Sequence, residues 1–549
     1  MPSIYTPVVH PRIERRKRET PVKVHDMMPR GNNPISRFNA WLAVKVTKVV
    51  GTVWCAYAFA VLALVSLPAA IASHNLIILV SWVSQTFLQL VLLSIIIVGQ
   101  NVLAAASDKR AEATYEDADA VLHTSLQIQD HLLAQDDVIE RILNRGRAES
   151  RLKPPLHNLM NRDTAQALLA SWKYERAVDH HCHPLRRWPF QLTAIELRSA
   201  FTEALDPELA ERHVLYSAGY QAALQRIALV LGCEPTEAAV LERRNRDDSE
   251  RHTRRLLDQP PTEVMLVDAG FSSPESFTLA EQERATGIAQ REIIRLETLA
   301  EALVKTANDP REWLAATRAA LREGINRGAV GVKTICAYRA SLKLQPVDTE
   351  TLGAAFSALR LRAERGQPVR LAGNSLCHAV LFEAAQECQQ LDVPLQLHCG
   401  FGDPDEDLAE TSPLGLRPLF IDPAYRGLRI ALLHCYPYHR EAAYLCGVFP
   451  GAYMDLSLTI PFAGLEGFRA MRETLGLCPT SKLLYASDAS RYPEVYFVAA
   501  SLHREALAEA LGELVDRAVL SSDSAVAAGR QVLAENARHI YRLAPTDTG

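Results

Sequence analysis

The fold of this chain is decided by residues 178–183, which read Val-Asp-His-His-Cys-His, and by four later stretches of the same design. These are Val-Gly-Val-Lys-Thr at 330–334, Leu-Gln-Leu-His-Cys-Gly at 395–400, Ala-Leu-Leu-His-Cys-Tyr at 431–436 and Leu-Tyr-Ala-Ser-Asp-Ala at 484–489. Each stretch pairs an apolar run, typical of a strand buried on both faces, with a histidine, lysine or aspartate near its end. Ala-, Leu-, Arg- and Glu-rich segments, long enough for crossover helices, separate them. The alternation predicts an α/β fold with a parallel barrel, whose chemistry lies at the carboxyl ends of the strands.

Size and composition indicate a globular protein with more than one domain. The chain has 549 residues, of which 48% are hydrophobic and 22% charged, and a single core rarely grows that large. Its net charge of -5 gives no general argument for binding nucleic acid. The ten cysteines include no Cys-x-x-Cys pair, so we expect neither a zinc ribbon nor a disulfide framework. Free thiols favour a reducing, cytoplasmic compartment for the catalytic part.

A long uncharged segment precedes the barrel. No Asp, Glu, Lys or Arg occurs between Val49 and Ser107, which leaves room for two membrane-spanning helices of about 20 residues each. We predict spans near 49–72 and 76–98, and a buried helical hairpin in a soluble protein is the less favoured alternative. Basic residues flank the pair on both sides and are absent from the turn between the spans, so both ends are expected in the cytoplasm. The predicted localisation is therefore the inner or plasma membrane, with the catalytic domain and both termini cytoplasmic.

The predicted organisation has four parts. Residues 1–45 form a basic, disordered leader that either contacts lipid or only sets the topology. Residues 46–144 hold the two spans and a cytoplasmic helix, residues 145–156 have linker composition, and residues 157–549 form the barrel. Within the cytoplasmic helix, Ile128, Leu132, Ile139 and Ile142, with Gln135 between them, follow a 4-3-4-3 spacing. This stripe indicates either a short coiled coil that makes a homo-oligomer or packing on the neighbouring domain.

The histidines of the first stretch have the spacing of metal ligands. Residues two apart in a strand share a face, so His181 and His183 would point into the barrel, and His180 and Cys182 away from it. Two adjacent imidazoles can bind a borderline divalent cation such as zinc, although a lone His-x-His pattern usually has no such role.

The four later residues each have a structural explanation of their own. A lone histidine at a strand end, such as His398 or His434, is more often a hydrogen-bonded core residue than a ligand. Asp488 could cap the following helix, and Lys333 could pair with an anion or extend toward solvent. The occurrence of histidine, lysine and aspartate in this order along successive strands favours a common metal site.

The region from about His157 to the C-terminus resembles the amidohydrolase superfamily of metal-dependent (β/α)8 barrels, and most closely its branch with nodulin/FluG-like amidohydrolase domains. The stretches above carry the resemblance, together with Leu-Val-Asp-Ala-Gly-Phe at 266–271 and Tyr-Met-Asp-Leu-Ser at 453–457. The resemblance implies a TIM barrel, here preceded by the predicted transmembrane hairpin, which lies outside the resemblance. It also implies a divalent metal, zinc first, as one or two ions. The implied ligands, on strands one, four, five, six and eight, are His181, His183, Lys333, His398, His434 and Asp488.

The same resemblance implies hydrolysis by metal-activated water, since a cation lowers the pKa of bound water from about 16 toward 7. Asp488 would orient this water and take its proton. His398 and His434 would complete the coordination or polarise the substrate. Lys333 would be either carbamylated, bridging two metals, or an ammonium that binds a substrate carboxylate, and both readings stay open.

Residues in the loops after the strands would set specificity. Arg339 and Arg417 would suit an anionic substrate, with ordinary salt bridges as the alternative. Asp403 would either bind substrate or cap a helix. Tyr436 and His439 complete the predicted substrate-binding set.

The predicted function is a membrane-anchored, metal-dependent hydrolase that acts on an amide or other C–N bond of a small anionic molecule. A decarboxylase or lyase on the same barrel is the alternative among enzymes, because this fold hosts many chemistries. A membrane-bound ligand sensor without turnover is the alternative from another class. The expected partners are a small-molecule substrate and a lipid bilayer, without nucleic acid.

Overall fold

The computed structural model describes residues 53–72, 75–82 and 157–544, and the chain divides into two units, 1–153 and 154–549. In the first unit, helices α1 (Val53–Ala72) and α2 (Leu76–Trp82) are described. Among the described residues, no helix has the length and apolar character needed to cross a membrane. The two predicted spans are therefore not confirmed. Residues 83–98 of the second span lie outside the described residues, as do the leader, the cytoplasmic helix with its isoleucine stripe, and the linker at 145–156.

The second unit is built on a parallel sheet of seven described strands, whose spatial order follows the sequence. The strands are β1 (Ala177–Cys182), β2 (Thr262–Asp268), β3 (Ala289–Arg295), β4 (Gly331–Thr334), β5 (Leu395–Cys399), β6 (Ile430–His434) and β7 (Ala452–Met454). Strands β1, β4, β5 and β6 are buried along their whole length, as their continuous apolar runs predict. The sheet is curled, and its seven strands form a half-barrel, so the predicted α/β class with a parallel sheet is confirmed.

Helices precede, connect and follow the strands. They are α3 (His157–Ser171), α4 (Ala194–Ser199), α5 (Pro207–Arg212), α6 (Ala218–Leu231), α7 (Glu237–Arg246), α8 (Ser249–Leu257), α9 (Leu279–Thr286), α10 (Leu296–Leu303), α11 (Pro310–Asn326), α12 (Thr349–Glu364), α13 (Asn374–Leu391), α14 (Arg417–Ile421), α15 (His439–Val448), α16 (Thr459–Phe462), α17 (Leu465–Thr474), α18 (Pro493–Asp516), α19 (Ser522–Arg530) and α20 (Asn536–Tyr541). Shorter helical turns lie at Val214–Tyr216, Ala269–Phe271, Cys336–Tyr338, Leu408–Glu410, Pro413–Leu416, Pro423–Tyr425, Thr480–Lys482 and Gln531–Glu535.

Local sequence sets where several helices begin. Thr193 before α4 forms a capping box with Glu196, since each side chain satisfies a backbone N–H of the first turn. Thr278 and Glu281 do the same for α9. Helix α11 begins with Pro310, whose missing N–H is unneeded at that position, and the side chain of Asp309 accepts two backbone hydrogen bonds.

The segment Leu483–Ala489 takes the place of the predicted eighth strand. It is not a regular strand, yet the Leu484 N–H donates to the Met454 carbonyl of β7 (2.8 Å). On the opposite side, the Asp488 N–H donates to the His181 carbonyl of β1 (3.0 Å). Both edge strands of the sheet therefore bond to this segment, which carries Asp488 to the end of β1.

Strand β1 departs from regular alternation. Its pairing with β2 has a register irregularity between Asp179 and Cys182. Gln396 shares a face of β5 with His398, and its amide donates to Tyr541 Oη (2.8 Å), which also bonds Nδ1 of His180 (3.0 Å). The expectation that His180 points away from the barrel is therefore wrong, because the irregularity in β1 turns it toward the same interior as its neighbour.

Candidate metal centre and active site

The carboxyl ends of β1, β4, β5 and β6 and the segment after β7 carry the six predicted metal ligands. The Nε2 atoms of His181 and His183 lie 3.1 and 3.4 Å from Oδ1 of Asp488. On the other side of this carboxylate, Nδ1 of His434 lies 3.6 Å from Oδ2. Three imidazoles from two strands thus surround one carboxylate from a third segment.

Lys333 joins this group from β4. Its Nζ lies 3.0 Å from Nε2 of His181 and 3.8 Å from Oδ2 of Asp268, the last residue of β2. Asp268 in turn forms a two-pronged ion pair with Arg295 at 2.6–3.2 Å. Burial lowers the pKa of the Lys333 amine, against the opposing attraction of Asp268. Lys333 is therefore a buried amine in a position to interact with the ligand nitrogen of His181.

Ser457 and Asp455 fix the protonation of His434. The Ser457 hydroxyl donates to Oδ1 of Asp455 (2.8 Å), and Nδ1 of His434 lies 2.8 Å from the same hydroxyl oxygen. A hydroxyl has one proton, and an ionised carboxylate can only accept, so Ser457 must accept from an Nδ1–H of His434. The Nε2 atom of His434 then keeps its lone pair. This second hydrogen bond is the usual way in which a protein selects the tautomer of a functional histidine.

Strained backbone accompanies the same residues. His434, Cys435 and Asp488 have positive φ values of 67°, 64° and 50°, a region that residues with a side chain rarely adopt. Asp455 compensates at His434, since its Oδ1 accepts the His434 N–H at 2.7 Å. Such conformations persist only where surrounding contacts enforce them, and they concentrate at functional sites.

His398 has a partner of its own. Its Nε2 lies 3.1 Å from Oε2 of Glu406, its ring centroid lies 4.5 Å from that of His434, and the Tyr338 ring is at 4.3 Å. His398 is thus adjacent to the group around Asp488, and its Nε2 contacts the carboxylate of Glu406.

The ligand candidates have the protonation states that a cation requires. Burial, followed by the nearby Lys333, lowers the pKa of His181 to about 4, and burial also lowers the pKa of His434. Burial alone would raise the pKa of Asp488, but the imidazoles of His434, His181 and His183 hold it well below the usual range. At neutral pH His181 and His434 are neutral imidazoles and Asp488 is a carboxylate.

The donor set fits a divalent cation. Two groups each offer three ligand atoms within 4.8 Å of one another: His181, His183 and Asp268, and His181, His434 and Asp488. The buried Nδ1 of His181 and Oδ1 of Asp488 also lack a hydrogen-bond partner among the described residues. Imidazole nitrogens with carboxylate oxygens are ligands of zinc and of other first-row divalent metals.

The five predicted substrate-binding residues have different surroundings. Tyr436 lines a cavity, and its ring stacks on His439, whose Nε2 lies 2.8 Å from Glu473. Arg339 has two buried guanidinium nitrogens without a hydrogen-bond partner among the described residues. The carboxyl of Asp403 accepts a hydrogen bond from the Asp405 N–H at 2.8 Å. The pKa of Glu203 is raised by burial first, then by the charge of Asp488 and then by that of Asp403. Arg417, the first residue of α14, is exposed.

Several residues of the site escape sequence reasoning. Asp268 and Asp455 stand in stretches that carried the family resemblance, so their positions were a usable signal. Glu406 follows β5 by a few residues and has no pattern around it. Glu203 belongs to the helical segment between β1 and β2, and nothing in the local sequence links it to the strand ends.

A curled parallel sheet with imidazoles, a lysine and a carboxylate at its strand ends defines an α/β protein with a candidate site for a divalent metal. Residues 178–543, most of the chain, match the model of the amidohydrolase family. The chain therefore belongs to the amidohydrolase family, and it is a metal-dependent hydrolase.

Individual relatives agree with this assignment. The chain is 28% identical over 310 residues to the protein fluG of Emericella nidulans, and the match covers 51% of the chain and 36% of fluG. The chain thus spans about a third of the length of this curated relative. A solved structure from Lactobacillus casei, assigned as a metal-dependent hydrolase, matches 68% of the chain and 97% of its own length, with 29% identity and a TM-score of 0.62. Glucuronate isomerase from Caulobacter crescentus matches 73% of the chain and 98% of its own length, with 17% identity and a TM-score of 0.52, and shows the fold alone.

Proposed function

We propose that this chain hydrolyses an amide or other C–N bond of a small molecule, with water activated at the centre formed by His181, His183 and Asp488. The observation that carries the proposal is the position of Asp488. One of its carboxylate oxygens faces the Nε2 atoms of His181 and His183 at 3.1 and 3.4 Å, while the other faces His434. Zinc is the metal we propose, since imidazole nitrogen ligands favour it.

A divalent cation bound at this centre would supply a Lewis acid and make water acidic enough to react near neutral pH. Asp488 stays ionised. Its carboxylate can therefore accept the proton of the attacking water and return it to the leaving nitrogen. Ser457 holds the Nδ1–H of His434, the nitrogen that faces Asp488, so the Nε2 of His434 stays unprotonated.

An anionic group on the substrate is part of the proposal. Arg339 follows Tyr338, whose ring packs on His398. Two buried nitrogens of its guanidinium lack acceptors among the described residues, and a buried guanidinium is costly without them. A substrate carboxylate would supply those acceptors in a paired geometry.

The test is a panel of small amides incubated with the metal-loaded protein in ¹⁸O-enriched water. Hydrolysis places one ¹⁸O atom in the carboxylate product for each bond that is cleaved. Release of carbon dioxide without incorporation of water oxygen would instead favour a decarboxylase. Saturable binding of several amides without any turnover would favour a ligand sensor.

Association with a membrane stays a prediction from the uncharged sequence between Val49 and Ser107. We propose that the hydrolase faces the cytoplasm, because basic residues flank this segment on both sides. Alkaline carbonate extraction of membranes measures this directly. Recovery of the full chain in the supernatant would contradict an integral anchor.

A further inference from the structure

A cavity of about 420 Å³ is lined in part by residues that follow His398 and His434 closely in the chain, and it has walls from two parts of the second unit. One wall comes from the helical segment between β1 and β2, which contributes Phe201 and Glu203. The other comes from the loop after β5, the loop after β6 and helix α16, which contribute Phe401, Tyr436 and Phe462. The volume lies within the range of small-molecule sites.

Two residues of the cavity wall follow metal-site histidines closely in the chain, and a third interacts electrostatically with the metal centre. Tyr436 follows His434 by two residues, and Phe401 follows His398 by three. Glu203 interacts electrostatically with Asp488 and Lys333 of the centre. A molecule that reacts at Asp488 can therefore place one of its substituents in this cavity.

Four aromatic rings, those of Phe201, Phe401, Tyr436 and Phe462, are part of the wall. The ring of Phe401 lies 6.3 Å from Tyr436 and 6.5 Å from Phe462, and Phe201 lies 6.4 Å from Phe462, measured between centroids. Such a set of ring faces favours an aromatic or branched apolar group. The electron-rich faces of the rings also attract a cation placed among them.

The ionisable side chains of the wall are mainly acidic. Two of them, Glu203 and Glu466, line the cavity, and no lysine or arginine is among the described residues that do so. The basic side chain at the wall is His213, which is exposed. Glu466 lies at the exposed rim, 3.8 Å from Arg469. Glu203 forms no salt bridge or hydrogen bond with any described residue.

The environment of Glu203 disfavours further negative charge. Burial, followed by the carboxylates of Asp488, Asp403 and Glu406, raises the pKa of Glu203 to about 8. A cationic ligand would stabilise the ionised form of Glu203 and would give it a partner that no described residue provides.

We propose that this cavity binds an aromatic or branched apolar group that carries an ammonium ion, and that this group is one side of the amide substrate. The assignment rests on the proposed function and names the substrate class for the same site. Glu203 pairs with the ammonium ion, and the four rings enclose the hydrocarbon part. The carboxylate expected opposite Arg339 lies on the other side of the scissile bond.

The experiment measures binding of three probes of equal ring size to the metal-loaded full chain by isothermal titration calorimetry. We expect benzylammonium to bind at least about tenfold more tightly than phenylacetate, with uncharged benzyl alcohol between them. Phenylacetate binding as tightly as benzylammonium overturns the proposal. This comparison uses the unmodified protein, so it does not depend on the folding of a variant.

Variants assign the effect to the cavity. Glu203→Gln should bring the affinity for benzylammonium down to that for benzyl alcohol, while Glu350→Gln, a matched change at an exposed position of α12, should leave all three unchanged. Phe462→Leu should weaken benzylammonium and benzyl alcohol together, because it removes a ring from the wall. An unaltered preference for the cation in Glu203→Gln places the probe elsewhere and refutes the assignment.

Failure of this proposal is distinguishable from failure of the proposed function. Preferential binding of benzylammonium without hydrolysis of any amide would contradict the function and leave the cavity assignment standing. Hydrolysis of an amide, combined with equal affinity for phenylacetate and benzylammonium, would support the function and contradict the cavity assignment.

Discussion

His503 on helix α18 gives a sharp prediction about stability and pH. Its side chain is 1% exposed, its ring packs against the edge of Tyr485 at 5.0 Å, and neither ring nitrogen has a hydrogen-bond partner among the described residues. Burial lowers the pKa of His503 from 6.5 to about 4. The folded protein therefore holds this imidazole neutral in a pH range where the unfolded chain protonates it.

The sign and size follow from proton linkage. Because the folded pKa is depressed, the unfolded state binds more protons below pH 6.5, and stability falls as the pH decreases until about pH 4. A difference of about 2.5 between the two pKa values corresponds to about 3.4 kcal/mol in total. Between pH 7 and pH 5 the loss due to His503 alone is about 2 kcal/mol.

Replacement by leucine removes this titration together with two buried nitrogens that lack partners. We expect the free energy of unfolding of His503→Leu, relative to that of wild type, to be about 2 kcal/mol larger at pH 5 than at pH 7, so the variant gains stability relative to wild type as the pH falls. Urea unfolding followed by tryptophan fluorescence measures the difference at both pH values. Titration of the metal-site histidines is common to both proteins and cancels in this comparison.

The matched control is His539→Leu, which removes an exposed imidazole of α20 and should show no such pH-dependent gain. An equal stability difference at pH 5 and pH 7 for His503→Leu would refute the reasoning, since it would mean that the folded state protonates His503 as readily as the unfolded chain does.

Three further predictions concern the metal centre. Asp488→Asn should lower kcat by about 10²–10⁴-fold, because the proton acceptor is lost, and should keep the circular dichroism spectrum. Asp523→Asn, at an exposed position, should change neither kcat nor the spectrum, and near-normal turnover of Asp488→Asn would exclude the assigned role. Ser457→Ala should weaken metal binding about 10–100-fold in chelator competition, because the Nδ1–H of His434 loses its acceptor. Unchanged affinity would show that Ser457 does not set the tautomer of His434. Bicarbonate should raise the metal content from about one to about two ions per chain by elemental analysis, since the buried Lys333 amine can form a bridging carbamate. Lys333→Met should abolish this rise, and a constant metal content in the unmodified chain would indicate an unmodified lysine.

The parallel strands and the residues at their ends could be predicted from composition and spacing alone. Strands buried on both faces leave continuous apolar runs, and β1, β4, β5 and β6 each place a predicted ligand at or just before the point where such a run stops. The segment before Asp488 shows the limit of this reasoning. Its composition is that of a strand, but it pairs with β7 and β1 only in part and remains irregular.

Contacts between distant parts of the chain were beyond sequence reasoning. His180 was expected to point away from the barrel because strands alternate, and an irregularity in β1 decided otherwise. Glu203, Glu406 and Ser457 each meet the site from a different loop or helix. No local period marks such residues, since their positions depend on how separate segments pack.

The sequence by itself determined the α/β class, the family and which residues are proposed to hold the metal, because buried strands and their polar ends leave a local signature in composition and spacing. Only the tertiary structure decided which nitrogen of His434 is free, which carboxylates surround the centre and how the cavity beside it is charged. Those properties depend on distances of a few ångströms between residues that can stand hundreds of positions apart in the chain, and burial among those neighbours sets their protonation.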